Sequence, residues 1–196
     1  MSTGASSYAN KFNAWLHGLM ALGVVFQVLM IAFRELVGHH STWSIYREPA
    51  IKMHQYVGIF VFIVIAIYLI QKFLISRQDF FSRFYPINKT AWRKVSEDIA
   101  CLVFERRLPV RIKESALGGL SGLIQGLGLL LVLFLSGVGS LAMLSWYGLL
   151  GVPAGWGDEL LIAHQFFGGL IWWYLGGHIG MAVLHKITPK RFQKEF

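Results

Sequence analysis

Leu160 to Leu184 reads LLIAHQFFGGLIWWYLGGHIGMAVL, 25 residues with no Asp, Glu, Lys or Arg but with two histidines. About 20 predominantly apolar residues in a helix cross the hydrocarbon core of a bilayer, so this run is long enough to span one. Only a helix satisfies its backbone groups in lipid without help from other strands. His164 and His178 are 14 residues apart, close to four helical turns, so both project from nearly the same face at depths about 21 Å apart.

Three further runs of this kind precede it. Ala14 to Phe33 is uncharged, Met53 to Ile70 ends at Gln71 and Lys72, and Leu117 to Tyr147 is uncharged and rich in glycine. The third is longer than a crossing needs, which tilting or an interfacial turn accommodates. Of the 196 residues, 55% are hydrophobic and 14% charged, with mean hydropathy +0.54. A soluble domain carries about a quarter charged residues. The expected fold is therefore all-α: an integral membrane four-helix bundle, one membrane domain over residues 1–196, with spans at about 14–33, 53–71, 117–147 and 160–184 and a loop over 73–116. Met1 to Asn10 lacks a basic region followed by a small-residue cleavage site, so the first run is expected to be a retained helix.

Basic residues orient the spans. Ten lie between Lys72 and Lys113, with Lys186, Lys190, Arg191 and Lys194 in the tail and Lys11 in the head. The opposite side holds Arg34, Arg47 and Lys52, and the loop from Gly148 to Glu159 has none. The positive-inside rule then predicts a multi-pass membrane protein with both termini and the 73–116 loop cytoplasmic. The net charge of +8 belongs to the flanks of spans, where it meets anionic headgroups, so no nucleic-acid partner is expected. Within the loop, Thr90 is a candidate N-cap for a helix from Ala91 to Leu108, ended by Pro109. Trp92, Val95, Ile99, Leu102 and Val103 recur along it at helical spacing. They fit a helix lying in the membrane interface, or a docking surface for a soluble partner.

One cysteine, Cys101, excludes an internal disulfide, a C-x-x-C-H haem attachment and an iron–sulfur cluster held by this chain alone. Walker, GxGxxG, HExxH and GxSxG motifs are missing. Carboxylates are missing from the span interiors too, which argues against a proton pump or ion transporter. The reactive groups left in the membrane are imidazoles. In the predicted topology, His17 and His178 fall near the inner face and His54 and His164 near the outer face, giving two pairs at two depths. Two planar cofactors stacked through a bundle call for this layout, and neutral imidazole suits haem iron. Glycines beside the histidines, among them Gly58, Gly168, Gly169, Gly176 and Gly177, leave room for a flat macrocycle, or serve close helix packing. His185 lies at the headgroup level, where it is a solvated helix end or an alternative ligand; His39 and His40 fall in the first outer loop.

Trp15 and His17, His54-x-x-x-Gly58, Ser136-Gly137 and the set His164, His178, His185 together resemble the bacterial cytochrome b561 family. They are similar also to the cytochrome b subunits of nickel–iron hydrogenases and formate dehydrogenases. The resemblance covers the four spans. It implies two b haems with bis-histidine ligation, one held by His17 and His178 and the other by His54 and His164, with a quinone as substrate. The long 73–116 segment resembles that of partner-bound subunits, implying a redox protein partner; a homo-oligomer is compatible. The expected role is electron transfer between that partner and the membrane quinone pool, as the membrane subunit of a respiratory dehydrogenase or reductase. The alternatives are a stand-alone quinone oxidoreductase acting on a small molecule such as superoxide, and a membrane protein holding a metal without haem.

Overall fold

The computed structural model describes residues 3–38, 46–86, 88–110, 119–149, 151, 153, 155–189 and 193–195. They form five helices, α1 (Thr3–Gly38), α2 (Arg47–Phe84), α3 (Lys89–Val103), α4 (Gly119–Trp146) and α5 (Trp156–Ile187), and two short strands, β1 (Leu108–Val110) and β2 (Gln193–Glu195). Four stretches are long and apolar enough to cross a membrane: Lys11–Val37, Glu48–Leu74, Gly119–Trp146 and Trp156–Leu184. The fold is an integral membrane helical bundle. Large apolar side chains such as Leu22, Leu29, Ile63, Ile162 and Phe166 are exposed along these stretches, a surface suited to hydrocarbon and not to water.

The helices run past the predicted spans because their breakers lie farther out. No glycine or proline occurs between Gly58 and Pro86, so α2 continues to Phe84 and stops where the approach to a proline disfavours helix. The 73–116 segment is thus not a bare loop: it holds the end of α2, then α3 and β1. Pro49 falls in the first turn of α2, where a missing N–H costs nothing.

The chain divides into two compact units. The first comprises Met1–Gln71 and Val132–Gly169. In it Val61, Val64 and Ile65 of α2 are buried, as are Leu16, Met20 and Val24 of α1 and Ala142 of α4. The turn after α4 is a Schellman motif: Leu149 N–H donates to Leu144 O at 2.9 Å and Gly148 N–H to Ser145 O at 3.0 Å. Gly148 takes φ +62 there, a backbone that glycine adopts without strain. Ser145, fully buried, donates to Pro153 O at 2.5 Å and closes the connection to α5.

The second unit comprises Lys72–Leu131 and Leu170–Phe196. The helix expected from Ala91 with a Thr90 cap begins two residues earlier, because Asn88 accepts from Ala91 N–H at 2.8 Å. It also ends earlier, at Val103. Arg106 takes φ +52, and Cys101 Sγ donates to Arg107 O at 3.3 Å across the turn. Leu108, expected to be helical, instead starts β1, which pairs in parallel with β2, Leu108 opposite Gln193. The chain crosses through α4 and α5 between these strands, as a parallel pairing with its long connection requires. Tyr85 donates to Gly126 O at 3.2 Å, and its part-burial pushes the phenol pKa up.

Asp98, only 2% exposed, links α3 to the start of α4. Its Oδ2 accepts from Leu120 N–H at 2.8 Å, one of the donors that a helix N-terminus cannot satisfy from within. The carboxylate also faces the positive end of the helix dipole. Asp98→Ala is expected to cost about 1–2 kcal/mol and Asp98→Asn less, read as a lower thermal midpoint of the detergent-solubilised protein. Equal midpoints for Asp98→Ala and the parent would show the contact to be neutral.

Candidate functional site

The candidate site lies in the first unit, where α1, α2, α4 and α5 each supply one part. His54 of α2 and His164 of α5 have ring centroids 5.9 Å apart with planes crossed at 81°. Two imidazoles bonded to one metal from opposite sides, each at about 2 Å, have centroids about 6 Å apart. The separation therefore fits two imidazoles that would hold one metal centre between them.

The His164 ring is held by α4. Its Nδ1 lies 3.0 Å from Leu135 O. A carbonyl only accepts, so Nδ1 carries the proton and Nε2 keeps its lone pair. Metal-binding histidines are usually fixed in this way, by a second bond from the other ring nitrogen. Gly139, one turn beyond Leu135, makes the approach possible: a Cβ there would lie 3.0 Å from His164 Cε1 and 3.1 Å from Nδ1.

His54 is positioned through its main chain. Gln27 of α1 donates from Nε2 to His54 O at 2.8 Å. A Cβ on Gly58 would come within 3.0 Å of that amide nitrogen, so the glycine one turn after His54 admits Gln27 rather than a macrocycle. His54 Nδ1 and Gln27 Oε1 are both buried without a hydrogen-bond partner. A buried unmatched group costs about 1–3 kcal/mol, which a group bound at this ring would offset. Gln27 escaped the sequence reading, although a lone amide inside an otherwise apolar run is itself a signal that two helices meet there.

The other glycines separate into two groups. Gly23 admits Val61, and a Cβ at Gly137 would stand at ordinary contact distance, 3.4 Å, from Phe62. Ser136, its neighbour, donates back to Val132 O of its own helix at 2.7 Å. These are helix-packing positions. Gly168, Gly169, Gly176 and Gly177 of α5, and Gly18 of α1, have open space where a Cβ would stand.

His17 is exposed on α1 and belongs to the first unit, whereas His178 is half-buried on α5 in the second. Neither unit brings these two together. His178 stacks on Tyr174, centroids 5.4 Å apart and planes 21° from parallel, and a Cβ at Gly128 of α4 would overlap the Tyr174 ring. His39 and His40 lie outside the described residues, as does the side chain of His185. Among the described residues no three His, Cys, Asp or Glu side chains gather as they would round a metal ion, and a tetrahedral zinc site needs at least three protein ligands.

Residues 9–194 match the family described as prokaryotic cytochrome b561. The chain belongs to that family. It is a multi-pass membrane protein of b-type haem electron transfer. No curated protein and no solved structure matches the chain. The residues at hand fit the haem that the family binds: a paired His54 and His164, a Nε2 lone pair freed by Leu135, an unmatched ring nitrogen on His54, and unfilled space beside the α5 glycines.

Two adjacent glycines of α4 provide an internal contrast. Gly139→Ala is expected to displace the His164 ring and lower the haem-to-protein ratio of the purified cytochrome. Gly137→Ala, two residues away, meets only ordinary contact and should keep the ratio of the parent. Indistinguishable ratios for the two variants would separate Gly139 from the site.

Proposed function

We propose that the chain is a di-haem b-type cytochrome, one membrane domain that carries electrons between a redox protein partner and the quinone pool of the bacterial inner membrane. The observation that carries this reading is the His54–His164 ring pair, 5.9 Å apart and drawn from two different spans. When bound, haem supplies a one-electron couple whose potential depends on axial ligation, burial and nearby charge. His54 and His164 bind one haem, His17 and His178 the other. Leu135 O holds the His164 proton on Nδ1 and orients the ring. Gln27 anchors the main chain of His54 to α1. Two imidazoles on one iron leave no open position, which favours electron exchange over oxygen binding.

Two observations support the placement in the membrane. Basic residues concentrate in the 73–116 segment and the tail, which the positive-inside rule assigns to the cytoplasm. The parallel pairing of β1 with β2 puts the end of that segment and the tail on one side, as two intervening spans require.

Haem content of single substitutions tests the assignment. His54→Ala and His164→Ala should each remove the same haem, leaving one per chain by pyridine haemochrome and the same residual reduced spectrum. His17→Ala and His178→Ala should remove the other and leave a second, different spectrum. Loss of both haems from one substitution, or different residual spectra for His54→Ala and His164→Ala, would sink the pairing.

A further inference from the structure

Among the described residues, one face of α3 is left uncovered. Trp92 is 54% exposed, Ile99 43%, Val103 60% and Phe104, at the C-cap, 82%. At about 100° per residue, Trp92, Ile99 and Val103 fall on a single stripe, whereas Phe104, at the C-cap, lies off it. Val95, Asp98 and Cys101 are buried instead, so the apolar residues that the sequence places together divide between a packed face and a bare one. A bare row of Trp, Ile and Val on a short helix marks an interaction surface.

The position of α3 identifies what covers that row. Asp98 Oδ2 holds Leu120 N–H at 2.8 Å, and Gly119 is the first residue of a membrane-crossing stretch. The helix is thus docked one hydrogen bond from the mouth of a span, at the level where headgroups begin. Lys89 to Arg107 contains five basic residues (Lys89, Arg93, Lys94, Arg106, Arg107) and three acidic ones (Glu97, Asp98, Glu105). Of the acids, Asp98 is turned to α4 and Glu97 pairs with Arg93 at 3.4 Å. Exposed Lys89, Arg106 and Arg107 complement anionic lipid.

We propose that α3 is a membrane-surface helix: Trp92, Ile99 and Val103 lie in the headgroup–acyl boundary of an anionic leaflet, beside the mouth of α4. The contact is amphipathic, combining buried apolar area with attraction between basic side chains and lipid phosphate. It fixes the cytochrome's extramembrane segment flat on the bilayer. The haem assignment is not needed for it.

The test uses the full chain in nanodiscs of mixed phosphatidylcholine and phosphatidylglycerol. Spin labels are placed at Ile99→Cys, Val103→Cys and Glu97→Cys, each on a Cys101→Ser background. Labels at 99 and 103 should collide more with oxygen than with an aqueous nickel chelate, and the label at 97 should show the reverse. The preference for oxygen at 103 should weaken in pure phosphatidylcholine; an unchanged preference overturns the anionic part. Chelate access at 99 and 103 equal to that at 97 overturns the proposal, and protection that arises only when a soluble redox partner is added replaces lipid by protein as the occupant. A second measurement leaves Cys101 intact. The Trp emission lost in Trp92→Phe should be quenched by phosphatidylcholine brominated near the headgroup and not by aqueous acrylamide; quenching by acrylamide alone overturns the proposal.

Discussion

In a hydrocarbon surround a polar ring nitrogen has no water to turn to, so each must find a partner within the protein. The bond between His164 Nδ1 and Leu135 O meets that constraint on one side of the ring. In doing so it fixes where the proton resides and which nitrogen is left to coordinate. The same bond sets the spacing of α4 and α5, because the ring reaches the Leu135 carbonyl only where Gly139 has no side chain. One contact thus couples helix packing to ligand chemistry. The His54 side works differently: the main-chain carbonyl is held by Gln27 while the ring keeps an unmatched nitrogen.

Glycine has two separate uses in these spans. At Gly23, Gly58, Gly126, Gly128, Gly139 and Gly157 neighbouring atoms occupy the place of the missing Cβ. There the residue specifies a contact, and in three of these six cases the contact reaches a histidine within one further residue: Gln27 to His54, Tyr174 to His178, and His164 itself. At Gly168, Gly169, Gly176 and Gly177 nothing beyond the adjoining helix backbone lies within 4 Å of where a Cβ would stand. Those positions keep the surface of α5 flat on either side of Tyr174. Composition alone does not distinguish the uses, since both read as Gly in an apolar run; what distinguishes them is the identity of the residue on the facing helix.

This explains which parts of the molecule were legible in the sequence. Four spans were, because charge is costly in lipid and its absence over 20 or more residues is a one-dimensional signal. Of the two histidine pairs expected from depth, the structure brings His54 and His164 together. Other pairwise contacts between helices were not legible. Gln27 has no local pattern to announce that it meets the carbonyl of His54, and Gly58 looked like room for a cofactor when it was room for an amide. The ends of elements failed for a related reason. Asn88 rather than Thr90 caps α3, a choice between two competent caps two residues apart, and β1 with β2 is a pairing of residues 85 positions apart whose partners carry no strand signal of their own.

Asp98 has a wider consequence for how a membrane protein carries an extramembrane segment. A carboxylate buried beside lipid would be costly if unpaired, but at the first turn of α4 it meets an N–H that the helix cannot satisfy itself. Two unmet requirements, one on α3 and one on α4, cancel at a single point. Asp98 therefore faces the protein together with the apolar Val95 and Cys101, while a second apolar stripe, Trp92, Ile99 and Val103, is left bare. A helix apolar on both faces suits a place where the outside is itself apolar, so on the proposal above the orientation of α3 is set by the same solvent that sets the spans.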